Sequence, residues 1–229
     1  MPVATLPPRR AGRRSLPMSS LREPEPVAVL ENGDRLTVSE FMRRYERMRQ
    51  VKKAQLIEGI VHMPSPVRAL QHAKPDGLLH GWLFTYALEH PELEFYPNAT
   101  LLLDADNAPQ PDSILCSAPC EGGRVWLDDK GYLCGKPELV CEVAASTASV
   151  DLHDKLRAYR RNGIQEYLVW LTTEQKVRWY RLVDQEYVEI TEAGGKLRSE
   201  VFPGLVLDVK ALLKHDGPRV IAALKARKH

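Results

Sequence analysis

The fold of this chain is decided by residues 109–116, PQPDSILC, and by residues 136–159, KPELVCEVAASTASVDLHDKLRAY. An apolar run from Leu139 to Val143 is typical of a buried strand, and the apolar periodicity that follows it predicts a helix ending at Gly163. Residues 138–144, 150–162 and 166–171 therefore predict a strand, a helix that Ser149 caps, and a second, parallel strand. We predict an α/β fold in which helices flank a central mixed β-sheet.

Two carboxylates and a lysine stand out in this stretch. Asp112 follows a proline at the start of an apolar run, and Glu142 lies inside the predicted buried strand. An ionised carboxylate there is costly unless it is paired, hydrogen-bonded, protonated or bound to a cation. Lys155 lies next to the apolar stripe of the predicted helix. Two carboxylates at neighbouring strand ends, with a lysine nearby, are the combination of residues that a divalent-metal site uses to cleave phosphodiesters.

The same residues also have ordinary explanations. Asp112 is a typical turn acid after Pro111. Asp151 and Lys155 are four residues apart, so an exposed ion pair worth about 0.3 to 0.5 kcal/mol explains both without catalysis. Glu142 is the hardest to explain in this way, because a surface role conflicts with its apolar neighbours.

The rest of the chain divides into three segments. Residues 1–26 hold six prolines and predict a flexible, Arg- and Pro-rich leader, residues 27–215 form the folded domain, and residues 216–229 form a basic tail. Within the domain we expect a helix at 37–49, a hairpin turning at Glu58 and Gly59, a helix at 74–89, an irregular loop at 122–134, and a second hairpin turning at 184–185.

Composition narrows the class of protein. The 229 residues are 44% hydrophobic and include no run of 18 apolar residues, so we expect a cytoplasmic protein with no membrane span. The net charge is +2, yet residues 1–22 hold five arginines and no acid, which leaves 32 − 5 = 27 basic against 30 acidic residues elsewhere. The basic footprint of a nucleic-acid partner would lie mainly on the leader, unless that leader is simply a disordered, solubilising segment.

These residues resemble the Uma-type restriction-endonuclease-like family of the PD-(D/E)XK nuclease superfamily. The resemblance covers roughly residues 27–215 and rests on Pro111-Asp112, the run GYLCGKPELVCEVAAS that contains Glu142 and Ser146, then Asp151, Lys155 and the run EYLVW from Glu166 to Trp170. It implies a restriction-endonuclease-like core and an endonuclease that uses Mg²⁺ or Mn²⁺ to hydrolyse phosphodiester bonds of nucleic acid, expected to be DNA. A homodimer is expected by analogy, because a double-strand cut needs two sites.

The resemblance also assigns roles within the site. Asp112 and Glu142 are expected to bind the metal, with the backbone carbonyl of Val143 as a third oxygen. In the familiar arrangement of the superfamily the catalytic lysine lies two residues after the second acid, where this chain has Ala144. The family instead supplies the lysine from the following helix, which is Lys155 here, to position the attacking water or stabilise the transition-state charge.

Four further residues are expected to support this site. The family usually has a glutamate where this chain has Gln55, and it commonly has a histidine at the place of His72. His72 either contacts a phosphate or makes a structural hydrogen bond at a helix start, Ser146 supports the ligands or caps the helix, and Asp151 pairs with Lys155. Because Gln55 is neutral, one alternative is a catalytically degenerate relative that binds nucleic acid or protein, and another is a hydrolase of nucleotides or small phosphate esters.

Overall fold

The computed structural model describes residues 28–63, 66–145 and 148–225, so the predicted leader and Ser146 lie outside the described residues. Their helices are α1 (Val38–Tyr45), α2 (Lys74–Leu88), α3 (Leu156–Arg161), α4 (Val209–Leu213) and α5 (Gly217–Lys225), with a 3₁₀ turn at Pro119–Glu121. Wide π-helical turns at Ala69–Ala73 and Val150–Lys155 lead into α2 and α3.

The described strands are β1 (Gln55–Ile57), β2 (Ile60–His62), β3 (Leu93–Pro97), β4 (Leu101–Leu102), β5 (Ser113–Ser117), β6 (Val125–Leu127), β7 (Leu133–Gly135), β8 (Leu139–Ala144), β9 (Glu166–Leu171), β10 (Lys176–Val183), β11 (Glu186–Glu189), β12 (Lys196–Arg198) and β13 (Val206–Asp208). Six of them form the central sheet in the order β11-β10-β9-β8-β5-β3. Its β8–β9 pair is parallel and its other pairs are antiparallel. The predicted mixed sheet and its βαβ crossover are therefore confirmed.

Side chains on β8 alternate between two cores, as the pleat of a strand requires. Leu139, Cys141 and Val143 pack with α2 and α5 on one face of the sheet. Val140 and Ala144 pack on the other face, in the core that contains Tyr159 and Tyr167. Glu142 falls between Val140 and Ala144, so it belongs to the face that α3 covers.

A third core fixes the β1–β2 hairpin beside the sheet. Leu56 and Val61 are buried in it together with residues of α1. Leu56 exchanges backbone hydrogen bonds of 2.9 and 3.1 Å with Ala108, which ties the hairpin to the chain shortly before β5. The predicted turn at Glu58 and Gly59 is confirmed, and both residues have the positive φ that tight hairpin turns demand.

Several predicted elements differ from the structure. The helix expected at 150–162 begins with a π turn, and the Ser149 side chain makes no capping hydrogen bond. The irregular loop expected at 122–134 contains β6 and β7, strands too short to show an alternating pattern in the sequence. The helix expected at 37–49 ends at Tyr45. Residues 217–225, expected as part of a basic tail that is helical or frayed, form the helix α5, whose Val220 is fully buried.

Candidate active site

Asp112 and Glu142 face each other across neighbouring strands. In the antiparallel β5–β8 pair Ser113 lies opposite Cys141, and one further step of this register places Asp112 opposite Glu142. The Oδ2 atom of Asp112 also accepts a 2.8 Å hydrogen bond from the backbone N–H of Val143. The structure thus brings the two carboxylates near each other where β5 begins and β8 ends, and both are almost fully buried.

Lys155 reaches these carboxylates from the π turn before α3. Its Nζ lies 2.8 Å from Oε1 of Glu142 and 3.0 Å from Oδ1 of Asp151, and its side chain is only 4% exposed. The hydroxyl of Tyr159 donates a 3.0 Å hydrogen bond to the same Oε1 atom. The ion pair of Asp151 and Lys155 exists, but its burial excludes the exposed helix pair that spacing alone suggested.

Burial and neighbouring charges set the protonation of this group. Desolvation, opposed by Lys155 and reinforced by Asp112 and Asp151, raises the pKa of Glu142 to about 7. Burial alone would lower the pKa of Lys155, but the charges of Asp151, Glu142 and Asp112 raise it above its usual range. Lys155 is therefore a permanent cation near neutral pH, whereas Glu142 titrates there.

An imidazole and an ammonium also lie close to the carboxylate of Asp112. Nε2 of His72 lies 3.4 Å from Oδ2 of Asp112, and Nζ of Lys53 lies 3.1 Å from Oδ1. Burial alone would raise the pKa of Asp112, but His72, Lys53 and Lys155 together hold it well below its usual range. The hydrogen bond that His72 donates to the Asp112 carboxylate raises the pKa of His72.

Sequence reasoning missed Lys53 and His80. Lys53 lies two residues before Gln55, and the alternation of an extended chain would have placed both on one side. Nε2 of His80 lies 2.8 Å from the backbone oxygen of Asp112 and 3.0 Å from Oδ1 of Asp76. No pattern in the sequence marks this contact, because it depends on how α2 packs.

The β1–β2 hairpin brings Gln55 and His62 to the edge of the site. These two residues are paired across the hairpin. Gln55 is buried, and its Oε1 accepts a 3.4 Å hydrogen bond from the backbone N–H of Gln110. His62 is close enough to Asp151 and Lys155 for their charges to act on its pKa, which desolvation lowers.

The turn of this hairpin is held against α3. Glu58 is partly exposed and lies 2.9 Å from the guanidinium of Arg161. Arg161 also lies 3.2 Å from Asp104, so one arginine joins the hairpin, the helix and the loop before β5. These contacts fix where Gln55 and His62 stand relative to Lys155.

The donor set fits a hard divalent cation. In residues 28–63, 66–145 and 148–225 no three His, Cys, Asp or Glu side chains form a ready metal cluster. Mg²⁺ keeps several of its waters, however, and needs only one or two carboxylates. Asp112 and Glu142 could supply these oxygens, and the Glu142 carboxylate, destabilised by burial, would gain from a cation.

Comparison with known proteins identifies the family. The model of the Uma2 family, described as a putative restriction endonuclease, matches residues 24–210. The chain belongs to the Uma2 family. This Uma2 match includes Asp112, Glu142 and Lys155, so the described site lies inside the matched region. No curated protein matches the sequence.

A solved structure supports the fold of this Uma2 protein. A putative nuclease belonging to DUF820 from Anabaena variabilis ATCC 29413 is similar with a TM-score of 0.58 at 15% sequence identity. The similarity covers 76% of this chain and 97% of that one. The α/β core is thus that of a nuclease-like fold, and the family indicates a restriction-endonuclease-like nuclease. The described part of the chain contains no helix long and apolar enough to cross a membrane.

Proposed function

We propose that this protein is a metal-dependent endonuclease that hydrolyses phosphodiester bonds of DNA. One observation carries the proposal: the buried ammonium of Lys155 lies between Glu142 and Asp151, and the carboxylate of Asp112 accepts a hydrogen bond from the N–H of Val143, the residue after Glu142. A buried cluster of three acids and one lysine is expensive to maintain for stability alone. A phosphate-hydrolysing site needs this combination of oxygen donors and a fixed cation.

The proposed roles follow from the geometry. Asp112 and Glu142, with the backbone carbonyl of Val143, would hold Mg²⁺ or Mn²⁺. The ion, when bound, supplies an acidified water and offsets the charge of the phosphate. Because its pKa is raised, Lys155 keeps its proton, so it stabilises the charge that builds up on the phosphate and is not a general base.

The remaining residues support these groups. Asp151 orients Lys155, and the Val143 N–H and His72 orient Asp112. Gln55 lies beside the site, where its side-chain oxygen is a neutral candidate ligand. The role of Ser146 stays a prediction, because Ser146 lies outside the described residues. Positioning of this kind matters because a misplaced group costs much of the rate.

Plasmid cleavage tests the proposal. Supercoiled DNA incubated with Mg²⁺ or Mn²⁺ should be nicked or cut by the wild type, and Asp112→Asn and Lys155→Met should lose this activity by about a hundredfold or more. Lys176→Met, which removes an exposed lysine on β10, is the matched control and should cleave normally. Cleavage that survives in Asp112→Asn and Lys155→Met would overturn the assignment.

Gln55 favours one alternative, a relative that binds nucleic acid or protein without cutting it. A neutral amide in place of a carboxylate leaves one less negative charge to hold a metal ion. A titration with Mn²⁺ separates the two functions, because an enzyme should bind the ion and lose it in Glu142→Gln, whereas a binding protein should show neither effect. RNA, plasmid DNA and a mononucleotide ester, assayed side by side, identify the substrate.

A further inference from the structure

We propose that Lys53 is an exchangeable counter-cation of Asp112 that couples metal binding to nucleic-acid binding. This inference rests on the proposed function, since it concerns Lys53 and the carboxylate expected to hold the ion. Its consequence is that the metal and the nucleic acid strengthen each other's binding, because both require Lys53 to leave Asp112.

The two oxygens of Asp112 have different partners. Oδ2 accepts the 2.8 Å hydrogen bond from the Val143 N–H and lies 3.4 Å from His72, so the backbone fixes it. Oδ1 lies 3.1 Å from Nζ of Lys53. Oδ1 is thus the oxygen left for an incoming ion, and it is the one that Lys53 covers. A divalent ion at Oδ1 and an ammonium at hydrogen-bond distance from it repel each other strongly.

Lys53 is held much less firmly than Lys155. Lys155 contacts two carboxylates and is 4% exposed, whereas the side chain of Lys53 is 29% exposed. The second contact of Lys53 is the neutral Oδ1 of Asn98, at 3.3 Å. Residues 51–54 belong to no helix or strand, and a lysine stem rotates freely. Lys53 can therefore leave Asp112 for solvent, while Lys155 cannot.

The segment before Lys53 offers it a new partner. Arg47, Arg49 and Lys52 are exposed, and none of them forms an ion pair with an acid among the described residues. Exposed cations without acidic partners suit the phosphates of a nucleic-acid backbone. A phosphate bound along this segment would attract the ammonium of Lys53 away from Asp112 and expose Oδ1. By thermodynamic linkage, a metal that displaces Lys53 must then favour the nucleic acid equally.

Calorimetric titration of Mn²⁺ into the full-length protein tests the first half of the inference. Lys53→Met keeps the length of the stem and removes the charge, so it should bind Mn²⁺ about tenfold more tightly than the wild type. Lys176→Met is the matched control, because it removes an exposed lysine on β10 outside the site and outside this segment, and it should bind as the wild type does. Lys53→Gln should shift affinity in the same direction, and circular dichroism checks that each variant folds. Unchanged or weaker binding in both Lys53 variants would overturn the inference.

The second half is tested with a short DNA duplex that has hydrolysis-resistant phosphorothioate linkages. The duplex should raise the affinity of the wild type for Mn²⁺ several-fold, and this gain should shrink in Lys53→Met. An equal gain in both proteins would overturn the coupling. If the wild type binds Mn²⁺ and Asp112→Asn does not, while Lys53→Met behaves as wild type, this inference fails and the proposed nuclease stands. A wild type that binds no Mn²⁺ and cleaves no nucleic acid would overturn both.

Discussion

Lys155 is the residue whose removal should affect the protein most. Taking its charge away leaves Glu142 and Asp151 buried without their cation, and breaking a buried pair in this way costs about 3 to 5 kcal/mol. Lys155→Met should therefore lower the free energy of unfolding by that amount in urea at pH 8 with EDTA. The loss should be smaller at pH 6, where Glu142 takes up a proton.

The exposed Lys176→Met variant is again the control, and its free energy of unfolding should change by less than about 0.5 kcal/mol. A loss below about 1 kcal/mol in Lys155→Met at pH 8 would show that solvent already screens the pair.

Glu142 should make the metal-free protein less stable as the pH rises. Its folded pKa of about 7 exceeds its usual value of 4.5, so the folded state binds the proton more tightly. The stabilisation is complete below about pH 4.5 and is lost as the pH rises through 7. The protonated form of Glu142 contributes at most about 3 kcal/mol to the free energy of unfolding. The raised pKa of His72 acts in the same direction, while the lowered pKa of Asp112 acts only in acid.

Thermal unfolding of the wild type and Glu142→Gln in EDTA, at several values between pH 5 and pH 8, measures this difference. His72 and Asp112 are present in both proteins, so their effects cancel in the comparison. Parallel pH profiles for the two proteins would contradict the raised pKa of Glu142.

At the scale of elements, Glu166 anchors the loop between β12 and β13. This fully buried carboxylate accepts hydrogen bonds from the Glu200 N–H at 2.7 Å, the Ser199 hydroxyl at 2.8 Å and the Trp179 indole at 3.2 Å. Glu166→Ala leaves these donors unpaired and should cost about 3 kcal/mol or more in urea unfolding. Because Glu166 pairs with Leu139, at the far end of β8 from Glu142, Mn²⁺ affinity should stay unchanged. A parallel loss of affinity would show that the two ends of the sheet are coupled.

The sequence predicted elements whose pattern is long and missed those whose pattern is short. The buried strands β8 and β9 and the helix between them carry enough apolar residues to be recognised, and the structure confirms them. Strands β6 and β7 have three residues each, which is too few to distinguish alternation from chance. The π turn before α3 also leaves no periodic signal, although it determines where Lys155 points.

Likewise, the sequence predicted only those residues of the candidate site that a local pattern marks. Glu142 could be recognised because a carboxylate in an apolar strand conflicts with its neighbours. The spacing of Asp151 and Lys155 correctly predicts an ion pair, but spacing says nothing about burial, and the predicted exposure of the pair is wrong. Lys53 contacts Asp112 from 59 positions away in the chain. Such a contact between distant segments depends on the packing of the hairpin, which no local pattern records.

At the scale of the whole molecule, we predict that two copies of the 25.9 kDa chain act together. A single site cuts one strand, so a double-strand break needs a second site in the opposite orientation. Light scattering should give a mass of about two chains, and supercoiled plasmid should become linear with little nicked intermediate. A monomeric mass together with nicked circles as the main product would contradict the dimer.

The π turns at Ala69–Ala73 and Val150–Lys155 each carry one nitrogen-bearing side chain of the site, His72 in the first and Lys155 in the second. In the first turn the Ala73 N–H reaches back five residues, to the oxygen of Arg68 at 3.2 Å. A π turn holds one residue more than a regular turn, and losing that residue rotates everything after it by about 100°. A relative with a one-residue gap in either turn would keep every strand and helix but aim its imidazole or ammonium elsewhere. The length of these two turns, rather than the identity of the site residues, would then distinguish active members of the family from inactive ones.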